Sequence, residues 1–124
     1  MQVFKTKLFA KWAGKEGLND QALWDAVQEM EQGLIDAELG GHVCKKRVAL
    51  GGRGKRGGAR TLLAFKQGDK AFFMFGFAKN EKANITDDEL KALKLLANQY
   101  LGYTSAGLKK ACAAGELIEV KDHG

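Results

Sequence analysis

Residues 43–78, VCKKRVALGGRGKRGGARTLLAFKQGDKAFFMFGFA, contain the pattern that decides the fold. Residues 43–50 place charged side chains beside apolar ones, as in a strand with two different faces. Residues 59–67 and 70–78 are aromatic-rich runs separated only by a Gly-Asp pair, which is typical of two strands joined by a tight turn. The stretch therefore predicts a meander of three antiparallel strands.

Three adjacent basic residues, Lys45, Lys46 and Arg47, lie in the first of these strands. Because successive side chains of a strand point to opposite faces, Lys45 and Arg47 are expected on one face and Lys46 on the other. The next residues, 51–58 (GGRGKRGG), predict a loop with five glycines. Without Cβ atoms in the way, such a loop can approach a phosphate closely with its N–H groups and basic side chains. Its spacing matches neither the GxxxxGK(S/T) nor the GxGxxG nucleotide-binding pattern.

Basic charge is concentrated in this part of the chain. The window between Glu38 and Asp69 has eight basic residues and no acidic one, although the whole chain has a net charge of only +5. These residues are Lys45, Lys46, Arg47, Arg53, Lys55, Arg56, Arg60 and Lys66. The rest of the chain has 12 basic and 15 acidic residues, and its net charge is therefore −3. A solvated basic face normally mixes both signs, so this segment is expected to bind an anion, in the first place nucleic-acid phosphate.

Upstream of the meander, residues 1–5 indicate a short strand that is followed by two helices. The first helical stretch lies around residues 8–12 and is interrupted by Gly14 and Gly17. The second covers residues 19–33, where N-cap residue types precede apolar residues at helical spacing.

Downstream, the best-specified element is a helix that begins after Thr86. Thr86 and Glu89 stand at capping-box spacing, Ile85 and Leu90 stand at hydrophobic-staple spacing, and Gly102 ends the helix. A shorter helix is expected at about 105–114. The run LIEV at 117–120 either adds an edge strand or packs on the helices, and periodicity does not decide between them.

This order of elements predicts an α+β fold, in which a small antiparallel sheet carries the N-terminal helices on one face. The 124 residues fit a single domain over 1–124, with a core of about 1–101 and a C-terminal helical extension of about 102–124. Cys44 and Cys112 are expected to be ordinary thiols, because neither has a partner at zinc-ligand spacing. No cofactor or metal is expected. The N-terminus lacks a signal-peptide pattern and no apolar run is long enough to cross a membrane, so a cytoplasmic protein with no membrane partner is expected.

Crowded cations can cleave RNA without a metal. The reaction needs a base for the 2′-OH, positive charge for the pentavalent phosphate and an acid for the leaving 5′ oxygen. A lysine among other cations loses its proton more readily, whereas arginine stays charged and binds phosphate oxygens. Lys55, Arg56 and Arg60 lie on or just after the glycine loop, and Lys79 and Lys82 follow the third strand. Antiparallel pairing of the last two strands is expected to bring Arg60 close to Lys79.

The sequence offers few candidates for other kinds of catalytic site. His42 and His123 are weak candidates for an acid–base pair, and no Ser-His-Asp arrangement can be assembled. The carboxylates at residues 87–89 are better explained by favourable charge at a helix N-terminus. Glu81 is either a base or a salt-bridge partner of its neighbouring lysines.

The stretch VCKKRVALGGRGKRGGARTLLAF, followed by FMFGFAKNEKANIT and a helix, resembles the RelE/HigB family of type II toxins. The HigB-like branch shares the pattern K-x-R, six residues and then G-K-R-G-G-x-R, with a later F-x-K-N-E. The resemblance covers the chain through residue 101. It implies a toxin that cuts mRNA in the A site of the 30S ribosomal subunit without a metal. It also implies a cognate helix-turn-helix antitoxin of the HigA type.

The resemblance carries the family's basic catalytic set to Lys46 or Arg47 in the first strand and to Lys55, Arg56, Arg60 and Lys79. Arg56 and Arg60 are then assigned to transition-state charge, and Lys55 or Lys79 to proton transfer. The family's late Tyr or His has no clear counterpart, since Tyr100 and Tyr103 stand at the end of a helix; Phe77 is the alternative stacking surface. The expected RNA-binding residues are Lys45, Lys46, Arg47, Arg53, Phe77 and Lys82.

Three alternatives stay open at this point. The chain could be a gyrase-directed toxin like the ParE relatives, which share the fold. It could be a non-catalytic module that binds RNA or the ribosome, with cations that only neutralise phosphates. The basic loop could also be a docking surface for an acidic antitoxin segment, which is compatible with catalysis.

Overall fold

The computed structural model describes residues 1–50, 54–79 and 81–122, without the side chains of residues 50 and 54–57. Within these residues the chain forms six strands and four helices. In chain order they are β1 (Gln2–Thr6), α1 (Lys7–Glu16), α2 (Asp20–Glu31), β2 (Ala37–Glu38), β3 (Val43–Leu50), β4 (Gly54–Lys66), β5 (Lys70–Ala78), α3 (Asp87–Leu101), α4 (Ser105–Ala113) and β6 (Leu117–Val120).

The six strands form one sheet in the order β2-β3-β4-β5-β1-β6. The meander predicted from the sequence is confirmed, since β3, β4 and β5 are successive antiparallel neighbours and Gly68 turns the chain with φ 74°. The prediction of an antiparallel sheet is wrong in one pairing, because β1 lies parallel to β5 with Phe4 opposite Phe72. A strand that pairs with a partner about 70 residues away takes its direction from tertiary packing, which local pattern does not show.

Helices cover both faces of this sheet. The N-terminal helices α1 and α2 pack on one face as predicted, around Phe9, Leu23 and Phe73. The sequence analysis assigned no face to the later helices, and the structure packs α3 and α4 on the other face around Phe72 and Leu93. Two covered faces explain why β4 and β5 read as nearly continuous apolar runs.

A β-bulge at Met74 sets which side chains of β5 face α3 and α4. Leu62 pairs with Phe75 and Leu63 pairs with Phe73, so Met74 has no partner residue on β4. The extra residue reverses the alternation of faces, and Met74, Phe75 and Phe77 therefore all lie in the α3/α4 core.

The same bulge turns Gly76 toward α1. A Cβ atom at this position would lie 2.3 Å from Cζ3 of Trp12, so only glycine fits there without rearrangement. Helix α1 also runs through Gly14, which was expected to interrupt it, and ends at Gly17 with φ 74°.

The predicted helix starts are confirmed. The Asn19 side chain accepts a hydrogen bond from the backbone N–H of Ala22 at 2.9 Å and caps α2. Thr86 and Glu89 form the full capping box of α3, with each side chain accepting from the other residue's backbone N–H. These caps satisfy donors that no helical carbonyl can reach.

The C-terminal segment is an integral part of the fold. The structure decides between the two alternatives for residues 117–120, since β6 is an edge strand antiparallel to β1. Leu108 and Leu117 are buried in the α3/α4 core, so α4 and β6 complete that core. No described helix is long and apolar enough to cross a membrane.

Candidate functional site

Two arginines face each other across β3 and β4. Arg47 is the cross-strand partner of Arg60, and Arg60 is in turn the partner of Phe77 on β5. By alternation with Leu62, Arg60 lies on the α3/α4 side of the sheet, and Arg47 lies there by alternation with Lys46. Directly opposed like charges destabilise a sheet, so this pair has a cost for the free protein.

The guanidinium of Arg60 has an unused donor. Its Nη1 atom is buried and has no hydrogen-bond partner among the residues that the structure describes, although the residue as a whole is partly exposed. A buried donor without an acceptor costs about 1–3 kcal/mol, and in native proteins such a group needs an explanation. An anion bound between the two arginines would supply the acceptor and remove the charge repulsion.

Arg47 has an internal partner that the sequence analysis missed. The Asp36 carboxylate accepts from the Arg47 backbone N–H at 2.7 Å and from Arg47 Nε at 3.3 Å. Asp36 lies just before β2, eleven residues upstream, and no local pattern links the two positions. A pairing of this kind becomes visible only once β2 is placed beside β3.

Lys45 shares the face of Arg47, as predicted, and is half-buried opposite Leu62. Lys79 is exposed and follows the end of β5, two residues beyond Phe77. Since Phe77 is the partner of Arg60, this register agrees with the expected closeness of Lys79 and Arg60.

Lys46 does not join these residues. Its side chain lies on the α2 side, is only 5 % exposed, and contacts the Glu29 carboxylate at 2.7 Å and the Leu34 carbonyl at 2.9 Å. The predicted separation from Lys45 and Arg47 is therefore confirmed. The expectation that Lys46 binds RNA needs correction, because a cation buried against helix α2 is not accessible to a polymer.

The aromatic residues also differ from expectation. Phe77 is only 3 % exposed and therefore offers no ring face to a base in this conformation. Phe75, which the sequence analysis did not single out, is partly exposed with its ring centroid 6.2 Å from that of Phe77. The Phe75 ring also lies 5.8 Å from the Nζ atom of Lys82, a cation–π distance.

Lys82 is engaged within the protein. Its Nζ atom contacts Glu89 Oε2 at 2.6 Å, and this ammonium holds the pKa of the Glu89 carboxyl below its usual value, together with hydrogen bonds from Thr86. The predicted RNA-binding cation is thus already neutralised by the residue that caps α3. Glu81, its other expected partner, forms no ion pair with the described residues.

The predicted glycine-rich loop at residues 51–58 is partly a strand. Strand β4 begins at Gly54, so residues 54–58 of the expected loop are strand, and Gly54 pairs with Leu50. Lys55 and Arg56 therefore lie on the β4 backbone, and their side chains are outside the described part of the structure. Arg53 lies outside the described residues altogether.

The remaining candidates lie far from the arginine pair. His42 precedes β3, five residues and roughly 16 Å from Arg47 at about 3.3 Å per strand residue. The Tyr100 ring stacks on Phe72 at 5.4 Å and Tyr103 packs against Tyr100 at 6.1 Å. Burial raises the pKa of the Tyr100 hydroxyl, which fits a core residue.

The two cysteines behave as ordinary thiols. Cys44 is buried, and this burial raises its thiol pKa to about 11, while burial also raises the pKa of Cys112. Among the described residues, no cluster of His, Cys, Asp or Glu could hold a metal ion. A cavity of about 750 Å³ beside β2 is lined by Met30, His42 and Phe65 and does not include the arginines.

The comparison with protein families matches residues 1–120 to the model described as RelE toxin of the RelE/RelB toxin–antitoxin system. The chain belongs to the RelE toxin family. The resemblance noted in the sequence is thereby confirmed at the level of the family. A search of curated proteins found no match.

As a RelE-family toxin, the chain is the toxin component of a toxin–antitoxin system and has an antitoxin as its partner. Toxins of this family are generally RNases, which supports a nuclease activity at this coarse level. In this RelE-family toxin, Arg47 and Arg60 are direct cross-strand partners, and Lys45 lies two residues before Arg47 on the same strand.

Proposed function

We propose that this toxin is a metal-independent, ribosome-dependent endoribonuclease that cleaves mRNA in the ribosomal A site. The observation that carries the proposal is the pair Arg47 and Arg60, directly opposed across β3 and β4, with a buried Nη1 on Arg60 that no other described residue bonds. This arrangement is unfavourable in the free protein and favourable around a phosphate. RNA supplies such a phosphate in every nucleotide.

The chemistry follows from the groups around this pair. The 2′ oxygen attacks the adjacent phosphorus and the P–O5′ bond breaks, which leaves a 2′,3′-cyclic phosphate and a free 5′-OH. Arg60 and Arg56 neutralise the charge of the pentavalent phosphate. Lys55 or Lys79 accepts the 2′-OH proton, and the other donates a proton to the leaving 5′ oxygen.

Other residues of the sheet face extend the contact with the substrate. Arg47 shares the phosphate of Arg60, Lys45, two residues earlier on β3, binds a neighbouring phosphate, and Arg53 adds charge from the glycine-rich segment. Phe75 replaces Phe77 as the aromatic surface for a base, because its ring is the more exposed of the two. Lys82 serves to fix the segment before α3.

The proposed partners follow from the same activity. The substrate is mRNA in the A site of the 30S subunit, which places the toxin in the cytoplasm. The antitoxin is proposed to be a helix-turn-helix protein of the HigA type, as the HigB-like sequence pattern implies. The sheet face that carries Lys45, Arg47 and Arg60 is called the arginine face. An acidic antitoxin segment that covers the arginine face would block phosphate binding and inactivate the toxin.

The deciding experiment adds the purified chain to a defined translation system with one mRNA, with and without ribosomes, and maps new 5′ ends by primer extension. Cuts at codon positions that require ribosomes are expected. Arg60→Ala is expected to abolish them, while Lys15→Ala, an exposed cation on α1 behind the sheet, serves as the matched control and leaves them unchanged.

Each alternative gives a different result in the same system. A gyrase-directed toxin leaves the mRNA intact and alters DNA supercoiling. A non-catalytic module binds RNA or ribosomes without any new 5′ ends, and its affinity falls by a similar step as each cation is removed. Intact mRNA in both reactions contradicts the proposed nuclease.

A further inference from the structure

The structure explains how the side chain of Arg47, a cation of the proposed site, is oriented. The Asp36 carboxylate binds Arg47 at two points, the backbone N–H at 2.7 Å and Nε at 3.3 Å. Asp36 is 28 % exposed and Arg47 is 48 % exposed, so the pair lies at the edge of the arginine face. With Nε engaged, the Nη groups of Arg47 have no acceptor among the described residues.

The segment that contains Asp36 is itself held in place by β3 and α2. Its backbone N–H donates to the Lys45 carbonyl at 3.1 Å. Two residues earlier, the Leu34 carbonyl accepts from Nζ of the buried Lys46, which also pairs with Glu29 on α2. These contacts join the segment before β2 to both β3 and α2, so the Asp36 carboxylate has a defined position.

The orientation of Arg47 would otherwise be set by repulsion. Arg60 lies directly opposite on β4, and like charges on directly opposed residues repel each other. A hydrogen bond to Nε fixes the plane of the guanidinium while leaving its outer fork available, and that fork matches two phosphate oxygens.

We infer that Asp36 is a positioning residue that holds the Arg47 guanidinium in the orientation in which it and Arg60 bind one phosphate; the inference rests on the proposed nuclease function. Asp36 acts through Arg47 and does not touch the substrate. Its contribution therefore appears in the rate of cleavage and not in the affinity for RNA.

The charge of Asp36 makes this role separable from an electrostatic one. A carboxylate beside a phosphate site repels RNA, so its removal alone would strengthen binding and leave or increase the rate. If Asp36 instead orients Arg47, its removal lowers the rate of cleavage. A purely structural role would lower stability, affinity and rate together. The three roles thus predict three different patterns.

The test measures cleavage of a defined mRNA on purified ribosomes as a function of toxin concentration, for the unmodified chain and for Asp36→Ala, Asp36→Asn, Arg47→Ala and Asp36→Ala/Arg47→Ala. Asp20→Ala is the matched control. Asp20 also pairs with a cation, Lys5, at 2.7 Å, and at 27 % exposure it is as accessible as Asp36 but lies at the start of α2. Melting temperatures are measured for every variant.

Asp36→Ala is expected to lower the maximal rate by about 10-fold, less than the roughly 100-fold that a 1 Å misplacement of a reacting group can cause. The toxin concentration for half-maximal rate stays equal or falls. Asp36→Asn, which retains one acceptor oxygen, keeps part of the rate. In the Arg47→Ala background the Asp36→Ala change has no further effect on the rate. The melting temperature of Asp36→Ala is expected to be close to that of Asp20→Ala.

Several results would overturn the inference. A maximal rate for Asp36→Ala equal to or above that of the unmodified chain shows that Asp36 does not orient Arg47. An equal fall in the Arg47→Ala background shows that Asp36 acts on something else. A melting temperature far below that of Asp20→Ala shows a structural role. If the unmodified chain does not cleave at all, the proposed function fails and the inference fails with it.

Discussion

At the scale of single residues, neighbouring side chains of one strand have different roles. Lys46 points to α2 and binds Glu29 and the Leu34 carbonyl, while Arg47 points to the other face and stands opposite Arg60. The cation that stabilises the fold is buried and has two partners within the protein. Lys45, Arg47 and Arg60, which we assign to the substrate, are at least partly exposed, and Arg60 keeps a donor without a partner among the described residues.

This contrast predicts that Arg60→Met separates function from stability. The substitution keeps the aliphatic length, removes a buried donor without an acceptor and ends the repulsion with Arg47. We expect the free energy of unfolding to rise by about 0.5–1 kcal/mol, and the melting temperature by about 2–5 °C. Cleavage should be lost. Thermal unfolding of both proteins checks the prediction, and a fall in stability would show that Arg60 supports the fold.

At the scale of elements, the bulge in β5 and the cap of α3 position the segments around the site. The bulge at Met74 turns Phe75 and Phe77 to the α3/α4 face, where Phe77 lies beside Arg60. The capping box fixes the start of α3, and its Glu89 also binds Lys82 in the segment that follows Lys79. Local backbone geometry thus decides which side chains reach one another.

Gly76 tests the geometry of the bulged strand. Gly76→Ala would place a Cβ atom 2.3 Å from the Trp12 ring, and we expect a loss of about 1–3 kcal/mol in the free energy of unfolding, as for other overpacked sites. The matched control is Gly14→Ala, since nothing lies within 4 Å of a Cβ there. In the interior of α1 this change should stabilise by about 0.5–1 kcal/mol. Opposite signs in urea unfolding support the structure, and equal stability of the two variants contradicts it.

The Lys82–Glu89 contact predicts a pH dependence. Lys82 lowers the pKa of Glu89 in the folded protein, so the interaction stabilises the fold above the pKa of the unfolded chain, near 4.5. This contribution is lost as the pH falls below that value and through the folded pKa. Glu89→Gln should therefore be less stable than the unmodified chain at pH 7, and the difference should shrink toward pH 3. A difference that stays constant with pH would exclude the ion pair as its cause.

At the scale of the whole molecule, the sheet is a central layer between two helical layers. The N-terminal helices cover one face, and the C-terminal helices cover most of the other. The arginine pair lies beyond Leu62 on the second face, toward the ends of β3 and β4 that adjoin the glycine-rich segment. A rigid sheet with both faces covered holds the two arginines at a fixed separation.

The three-layer arrangement predicts that the C-terminal segment is required for folding. Deletion of residues 103–124 removes α4 and β6, exposes the buried Phe4 and leaves β1 with a free edge. We expect this shortened chain to show no cooperative thermal transition. Deletion of residues 121–124 is the matched control and should leave the transition intact, because residues 121 and 122 are exposed. Cooperative melting of the shorter chain would contradict the prediction.

The sequence by itself determined the local elements and the location of the charge. The turn at Gly68, the caps at Asn19 and Thr86 and the alternation of Lys45, Lys46 and Arg47 depend on neighbours in the chain, and all are found as predicted. Local hydrogen-bonding chemistry suffices for such features.

Only the tertiary structure decided which distant groups meet. The parallel pairing of β1 with β5, the second helical layer, the burial of Phe77 and the contact of Asp36 with Arg47 all join residues far apart in the chain or on different elements. Their energies come from packing and from charges brought together in space, which no short window of sequence contains. The register of three strands, set by long-range pairing and one bulge, is therefore what turns a basic segment into a defined pair of opposed arginines.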